Sequence, residues 1–156
     1  MNGKKRLADV FKTVGLPPYT YVKPPHYGEV RVDVEQPGKH LLIEGPSGTG
    51  KTCVVYKVFE ELGWRVGTDY QYVSCRDQGS ESAIRSFFEK ASVGEQPSPP
   101  LIVADDFHLL SPTRRAEIGS FLKRLSDRAF ERASPPKAIL IGIPMSGLSL
   151  LSDAYD

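Results

Sequence analysis

The sequence predicts an α/β fold in which helices cover both faces of a mostly parallel sheet. Three observations predict it. A short apolar run at residues 41–43 leads straight into a glycine-rich turn, a second at residues 101–104 ends in two acids, and a third lies at residues 138–143. Such runs, separated by helical patterns, are typical of parallel strands buried on both faces. We therefore expect a three-layer α/β/α architecture with the sheet in the middle.

The glycine-rich turn GPSGTGKT, residues 45–52, matches the Walker A pattern G-x-x-x-x-G-K-[ST] at every fixed position. Its three glycines are expected to allow positive φ angles, so that backbone N–H groups converge on an anion at the start of a helix. Lys51 would reach the β and γ phosphates as a catalytic cation, and the Thr52 hydroxyl would bind Mg²⁺. A turn that binds nothing is the alternative, but strand, loop and helix follow in the required order. The expected core is a P-loop NTPase core, and its nucleotide contacts are Gly45, Pro46, Ser47, Gly48, Thr49, Gly50, Lys51, Thr52 and Cys53.

Length and charge narrow the classes of protein. The 156 residues fit a single domain, with a helix and arm at residues 1–28 and a nucleotide-binding core at residues 29–156. The net charge of +1 gives no global basic field, so DNA is an alternative partner that the composition does not favour. No apolar run approaches the roughly 18 residues of a membrane span, and the N-terminus lacks a signal-peptide core. We expect a cytoplasmic protein with no membrane partner.

The two cysteines, Cys53 and Cys75, have neither CxxC spacing nor the numbers for a disulfide framework, so we expect reduced, structural thiols. His26 lies between a proline and a tyrosine and is expected at the surface. A metal role for it would need partner ligands that the sequence does not supply.

The N-terminal part of the chain is less regular. Residues 6–14 show one apolar helical face, and residues 16–28 are rich in proline and tyrosine. This arm either covers an adenine ring, through Tyr21 and Val22, or simply packs on the surface. Residues 29–36 alternate valines as an edge strand would, yet their length fits a short helix equally well.

The remaining elements follow from periodicity. Helices are expected at residues 51–62, 80–93 and 111–132, and a strand at residues 70–75. Ser80 is a candidate helix cap. The long third helix is expected to turn Phe130 inward and to leave most of its basic side chains outside, either solvated or in contact with a phosphate or a partner. Those basic residues are Arg114, Arg115, Lys123, Arg124, Arg128 and Arg132.

The apolar run that begins at Leu101 ends in Asp105 and Asp106. At the carboxyl end of a buried parallel strand this resembles a Walker B motif. Asp105 would hold Mg²⁺ through water, and Asp106 would be the catalytic carboxylate that orients or deprotonates the attacking water. Alone, the pattern also fits a strand that ends in a turn. Its place about fifty residues after the Walker A pattern favours the metal site.

Taken together, the aromatic arm, GPSGTGKT, LIVADDFH, a long helix and AILIGIP resemble, in this order, the ATPase core of the AAA+ and STAND group. The resemblance covers about residues 16–150. It implies ATP with Mg²⁺, nucleotide-driven self-association, and work on a protein or nucleic-acid partner through other domains. The phosphate-loop glycines, Lys51 and Thr52 match the family motif, as does Asp105, and Asp106 stands where the catalytic acid lies.

Three departures from the family pattern qualify that resemblance. AAA+ enzymes usually carry Glu at the second acid, whereas Asp105-Asp106 is more like STAND switches. Where the family has a polar sensor, this chain has Gly142-Ile143-Pro144, with Ser146 the nearest polar side chain. The lid and the arginine-finger region would lie beyond Asp156, so we expect a core that ends before the lid.

Three functions are compatible with these patterns. The first is a regulatory module that binds and hydrolyses Mg-ATP. The second is a nucleotide-dependent protein-interaction switch with negligible turnover, which the second Asp favours. The third is a small P-loop kinase, which would need a basic lid after the third or fourth strand. Neither the loop at residues 94–100 nor the C-terminal segment offers such a lid.

Overall fold

The computed structural model describes residues 26–144. The predicted helix at residues 6–14, the adenine contacts proposed for Tyr21 and Val22, and Ser146 lie outside this range. Helices and strands alternate along the described chain, with short 3-10 turns at Phe107–Leu109 and Ala129–Glu131. The longer elements are α1 (Tyr27–Glu35), β1 (Leu41–Glu44), α2 (Lys51–Leu62), β2 (Gln71–Ser74), α3 (Ser80–Ser92), β3 (Leu101–Asp105), α4 (Pro112–Asp127) and β4 (Lys137–Gly142).

The four strands form one parallel sheet in the order β1-β4-β3-β2. Every residue of β3 and β4 is buried, because helices cover both faces. Ile102 and Ala104 pack in the cluster formed with α3 and α4, whereas Leu101 and Val103 pack in the cluster formed with α1 and α2. The predicted three-layer α/β P-loop core with a parallel sheet is confirmed.

Residues 29–36, which fitted a strand or a helix, belong mostly to helix α1. Val34 is 1% exposed and Val32 is 62% exposed, so these two valines lie on different sides of α1. Lys137, at the start of β4, fixes the end of α1. Its buried ammonium donates hydrogen bonds to the carbonyls of Asp33, Val34 and Gln36 at 2.5, 2.6 and 2.9 Å, and so satisfies acceptors that a helix end leaves open.

Two expectations about helix ends were wrong. Helix α4 stops at Asp127 rather than near Arg132, and the 3-10 turn that follows leaves Phe130 84% exposed instead of inward. Helix α3 is preceded by Gly79, with φ of 82° and no side-chain cap, so Ser80 is its first residue and not its cap. No helix formed by residues 26–144 has both the length and the apolar character that crossing a membrane requires.

Candidate nucleotide-binding site

The phosphate loop, residues 45–52, leaves the carboxyl end of β1 and enters the first turn of α2. Gly48 and Gly50 have φ angles of 77° and 80°, which residues with a Cβ rarely adopt. Gly45 departs from the expectation, since its φ is not positive. Its N–H donates to the Gly142 carbonyl at 3.3 Å and extends the pairing of β1 with β4. Only the two later glycines therefore use their left-handed freedom.

Lys51, the first residue of α2, is folded back over this loop. Its Nζ donates to the carbonyls of Gly45 and Pro46 at 2.8 and 2.6 Å and lies 3.4 Å from Thr49 Oγ1. The lysine is thus already held by neutral acceptors in the hollow of the loop. A phosphate oxygen placed there would be a stronger acceptor, because its negative charge adds an attraction for the ammonium that a neutral carbonyl lacks.

The end of β3 meets the phosphate loop at Asp105. This carboxylate is only 8% exposed, and its Oδ2 accepts hydrogen bonds from Thr52 Oγ1 at 2.8 Å and from the Tyr72 hydroxyl at 2.7 Å. Its Oδ1 accepts from the Asp106 N–H at 2.8 Å. Thr52 and Asp105 come from either side of β4, which lies between β1 and β3 in the sheet. The two residues expected to bind a metal are therefore in direct contact.

Asp106 lies just beyond β3 in a left-handed conformation, with φ of 54°, which is uncommon for a residue with a side chain. Its carboxylate is paired with Arg76, which follows β2. Arg76 Nε donates to Oδ2 at 2.7 Å, and Nη2 lies 3.4 Å from Oδ1. Arg76 is 65% exposed and Asp106 is 26% exposed. The pair is therefore open to solvent, where ion pairs hold their partners weakly.

At the carboxyl end of β4, backbone groups rather than a polar side chain lie at the edge of the sheet where the phosphate loop and Asp105 meet. The Ile143 N–H donates to His108 Nδ1 at 3.2 Å, and Arg115 Nη1 donates to the His108 carbonyl at 3.3 Å. His108 thus links the turn after β3 to the end of β4. Within residues 26–144, Gly142-Ile143-Pro144 supplies no polar side chain at the position where the family pattern has its sensor.

Fewer basic side chains of α4 are free on the surface than the sequence suggested, because some of them bind acids or carbonyls of this chain. Arg114 pairs with Glu81 and Glu117, and Arg115 donates to the Leu110 carbonyl at 2.6 Å. Beyond α4, Arg132 donates to the Ala91 carbonyl at 2.7 Å. The exposed cations of this segment are Lys123, Arg124 and Arg128.

The two cysteines are free and partly buried. Cys53 lies in the first turn of α2, and burial raises the pKa of its thiol. Burial, with Asp106 next, raises the pKa of Cys75 to about 12. Both thiols are therefore uncharged near neutral pH.

A family model described as "ATPase family associated with various cellular activities (AAA)" matches residues 41–144. The chain belongs to the AAA family. The matched range begins with β1 and ends two residues after β4, so it includes the phosphate loop and both acids at the end of β3. This is an ATP-binding module of the AAA+ type, as the sequence pattern had indicated.

More distant similarities cover short stretches. One of the subunits of the light-independent protochlorophyllide reductase of Cereibacter sphaeroides is 32% identical over 65 residues, which is 42% of this chain and 12% of that protein. The corresponding reductase subunit from Synechococcus sp. is 27% identical over 86 residues, 54% of this chain and 16% of its own length. Protein SAV of Sulfolobus acidocaldarius is 31% identical over 91 residues, 57% of this chain and 11% of its own length. The matched part of this chain therefore covers less than a fifth of the length of each of these three relatives.

The contact between Thr52 and Asp105 fits a magnesium ion chemically. A hydroxyl and a carboxylate are the hard oxygen ligands that Mg²⁺ prefers, and Mg²⁺ usually takes one or two protein ligands together with substrate phosphates and water. Residues 26–144 hold no cluster of three or more His, Cys, Asp or Glu side chains that would form an all-protein metal cage. The donor set is thus suited to a metal that arrives with a nucleotide.

Two polar residues of this edge, Tyr72 and Arg76, were not among the site residues predicted from the sequence. Both lie within β2 or just after it, and β2 pairs with β3 in parallel so that Ser74 is opposite Asp105. The carboxyl ends of neighbouring parallel strands meet at one edge. The sequence offered one signal for these two residues. Both are polar, and both lie in the predicted strand 70–75 or directly after it.

Proposed function

We propose that this AAA module binds Mg-ATP and hydrolyses it as a regulatory device, with the whole chain forming one domain. The backbone of residues 45–50 would hold the phosphates, with Cys53 adding an N–H at the start of α2. Thr52 and Asp105 would hold the magnesium, and Lys51 and Asp106 would be the catalytic residues. The module would transmit its nucleotide state by self-association, which is common in the family, or by binding a protein partner.

One observation carries the proposal. Thr52 Oγ1 and Asp105 Oδ2 are 2.8 Å apart although 53 residues separate them in the chain. The hydroxyl gives its hydrogen to the carboxylate and keeps its lone pairs for a cation.

The remaining residues have distinct roles in this proposal. Lys51 would leave the carbonyls of Gly45 and Pro46 for the phosphate oxygens and would stabilise the charge that develops on the transferred group. When bound, Mg²⁺ would supply neutralisation of the phosphate oxygens. Asp106 would orient or deprotonate the attacking water, and for that it must separate from Arg76.

A second candidate is a nucleotide-dependent switch with negligible turnover. The observation that favours it is the contact of Arg76 with both oxygens of Asp106. A carboxylate whose two oxygens are both in contact with a guanidinium is less available to position a water or to accept its proton. The reductase names of the partial relatives carry no third candidate, since the matched stretches cover so little of those proteins.

Phosphate release from Mg-ATP by the purified chain, beside its Asp106→Ala variant, separates these candidates. Hydrolysis predicts release that disappears in the variant while ATP binding is retained. A switch predicts tight ATP binding in both proteins with release below about 0.01 per second, the range of slow GTPases that carry their arginine in cis. Failure of the wild-type chain to bind ATP at all would contradict both candidates.

A further inference from the structure

Tyr72 donates the second of two side-chain hydrogen bonds to Oδ2 of the buried residue Asp105. Its hydroxyl lies 2.7 Å from Oδ2, the same atom that accepts from Thr52 at 2.8 Å. The other oxygen, Oδ1, already accepts the Asp106 N–H. Both oxygens of the proposed metal-binding carboxylate are thus bound by donors, and Tyr72 supplies a donor that lies outside the phosphate loop.

The phenol is held in place by its surroundings. Tyr72 lies in the middle of β2, and its ring packs against that of Tyr56 on α2 with centroids 5.6 Å apart. The phenol O–H therefore points at Asp105 from a ring whose position is set by packing, and it donates to a carboxylate oxygen that can only accept.

The last torsion of a carboxylate side chain is broad, and Tyr72 adds a third hydrogen bond that restrains it, beside those from Thr52 and from the Asp106 N–H. With Tyr72 and the Asp106 N–H on opposite oxygens, the plane of the Asp105 carboxylate is fixed. Groups that orient metal-binding side chains in this way tune affinity, and their loss typically costs 10–100-fold in metal affinity.

We infer that Tyr72 is a positioning residue for the metal-binding acid: its hydroxyl orients Asp105 so that, with Thr52, the carboxylate favours the magnesium form of the nucleotide. The inference rests on the proposed metal site and extends it to a residue outside the phosphate loop and the β3 acids. Tyr72 itself does not touch the nucleotide. Its effect is confined to the energy that Mg²⁺ adds to nucleotide binding.

The test compares the affinity for a fluorescent ADP analogue in excess Mg²⁺ with the affinity in excess EDTA, and the ratio of the two is the magnesium coupling. Tyr72→Phe keeps the ring on Tyr56 and removes only the hydroxyl. The expected result is a coupling about tenfold or more below that of the wild type, with an unchanged affinity in EDTA.

Tyr70→Phe is the matched control. Tyr70 is two residues earlier and packs its ring on Phe59 with centroids 4.3 Å apart. Its hydroxyl makes no hydrogen bond to Asp105 in the described structure. The same loss of one hydroxyl at this position should leave the magnesium coupling at the wild-type value.

The outcomes separate the inference from the function on which it rests. Wild-type coupling in Tyr72→Phe, beside lost coupling in Asp105→Asn, overturns the role of Tyr72 and keeps the metal site. An equal fall in both affinities together with a lowered melting temperature indicates a structural tyrosine and also overturns the inference. A wild-type chain that binds ADP equally with and without Mg²⁺ overturns the metal site and the inference together.

Discussion

His40 makes the free energy of unfolding of this fold depend on pH in the acid range. The side chain lies just before β1, and its Nδ1 accepts a hydrogen bond from the Ala138 N–H at 3.0 Å. Its Nε2 is buried and finds no hydrogen-bond partner among residues 26–144. Burial, and then the charge of Lys137, lowers the pKa of His40 from 6.5 to about 4. Protonation of Nδ1 would set a ring N–H against the Ala138 N–H, so that two donors face each other. It would also place a positive charge beside Lys137.

The sign and size of the effect follow from these values. Because the folded pKa is depressed, the unfolded chain binds more protons between pH 6.5 and about 4. The stability attached to neutral His40 is complete above pH 6.5 and is lost as the pH falls toward 4. A difference from 6.5 to about 4, at about 1.4 kcal/mol per pH unit, amounts to about 3 kcal/mol.

Urea unfolding between pH 7.5 and 4 measures this loss, with the single tryptophan as the probe. Trp64 packs on Phe59 with centroids 5.4 Å apart, so its fluorescence reports on the core. The control is His40→Asn, whose side-chain oxygen can accept from Ala138 and does not titrate. The wild type should lose about 3 kcal/mol more than this variant between pH 6.5 and 4. Parallel curves for the two proteins would refute the reasoning.

Three further predictions concern the loop, the ion pair and the core. Lys51→Ala should weaken ATP binding at least about tenfold in calorimetry, since the lysine is expected to carry charge-assisted bonds to the phosphates; unchanged affinity would remove it from the site. Arg76→Gln should raise phosphate release severalfold by freeing Asp106, and a fall would instead make Arg76 a required group. Phe88→Ala should cost about 3–5 kcal/mol of unfolding free energy, because Phe88 is 0% exposed. Phe130→Ser should change the free energy of unfolding by less than about 0.5 kcal/mol. Similar losses of stability in Phe88→Ala and Phe130→Ser would contradict the described core.

Local pattern was enough to predict the centre of this fold. The phosphate loop was predictable because its spacing joins a strand to a helix within twelve residues, 41–52. The last strand residue, Asp105, was predictable because a strand buried on both faces reads as an unbroken apolar run. In both cases the information lies within a few consecutive residues.

Other features depend on partners far along the chain. Tyr72 and Arg76 reach the β3 acids only because β2 is the neighbour of β3 in the sheet, and no short pattern encodes strand order. Residues 29–36 had the alternation of a strand, and their helix is held by Lys137, about a hundred residues later. Phe130 fitted the helical periodicity of α4, but the helix ended before it, and helix boundaries are poorly defined by periodicity alone.

The central claim is that Thr52 and Asp105 act together as one metal site for Mg-ATP. Magnesium coupling of nucleotide binding in Thr52→Val, Asp105→Asn and the double variant tests it most directly. Residues that act through one ion are not additive, so the double variant should lose no more coupling than the more damaging single variant. Losses that sum in the double variant, or full coupling in either single variant, would contradict a shared magnesium site.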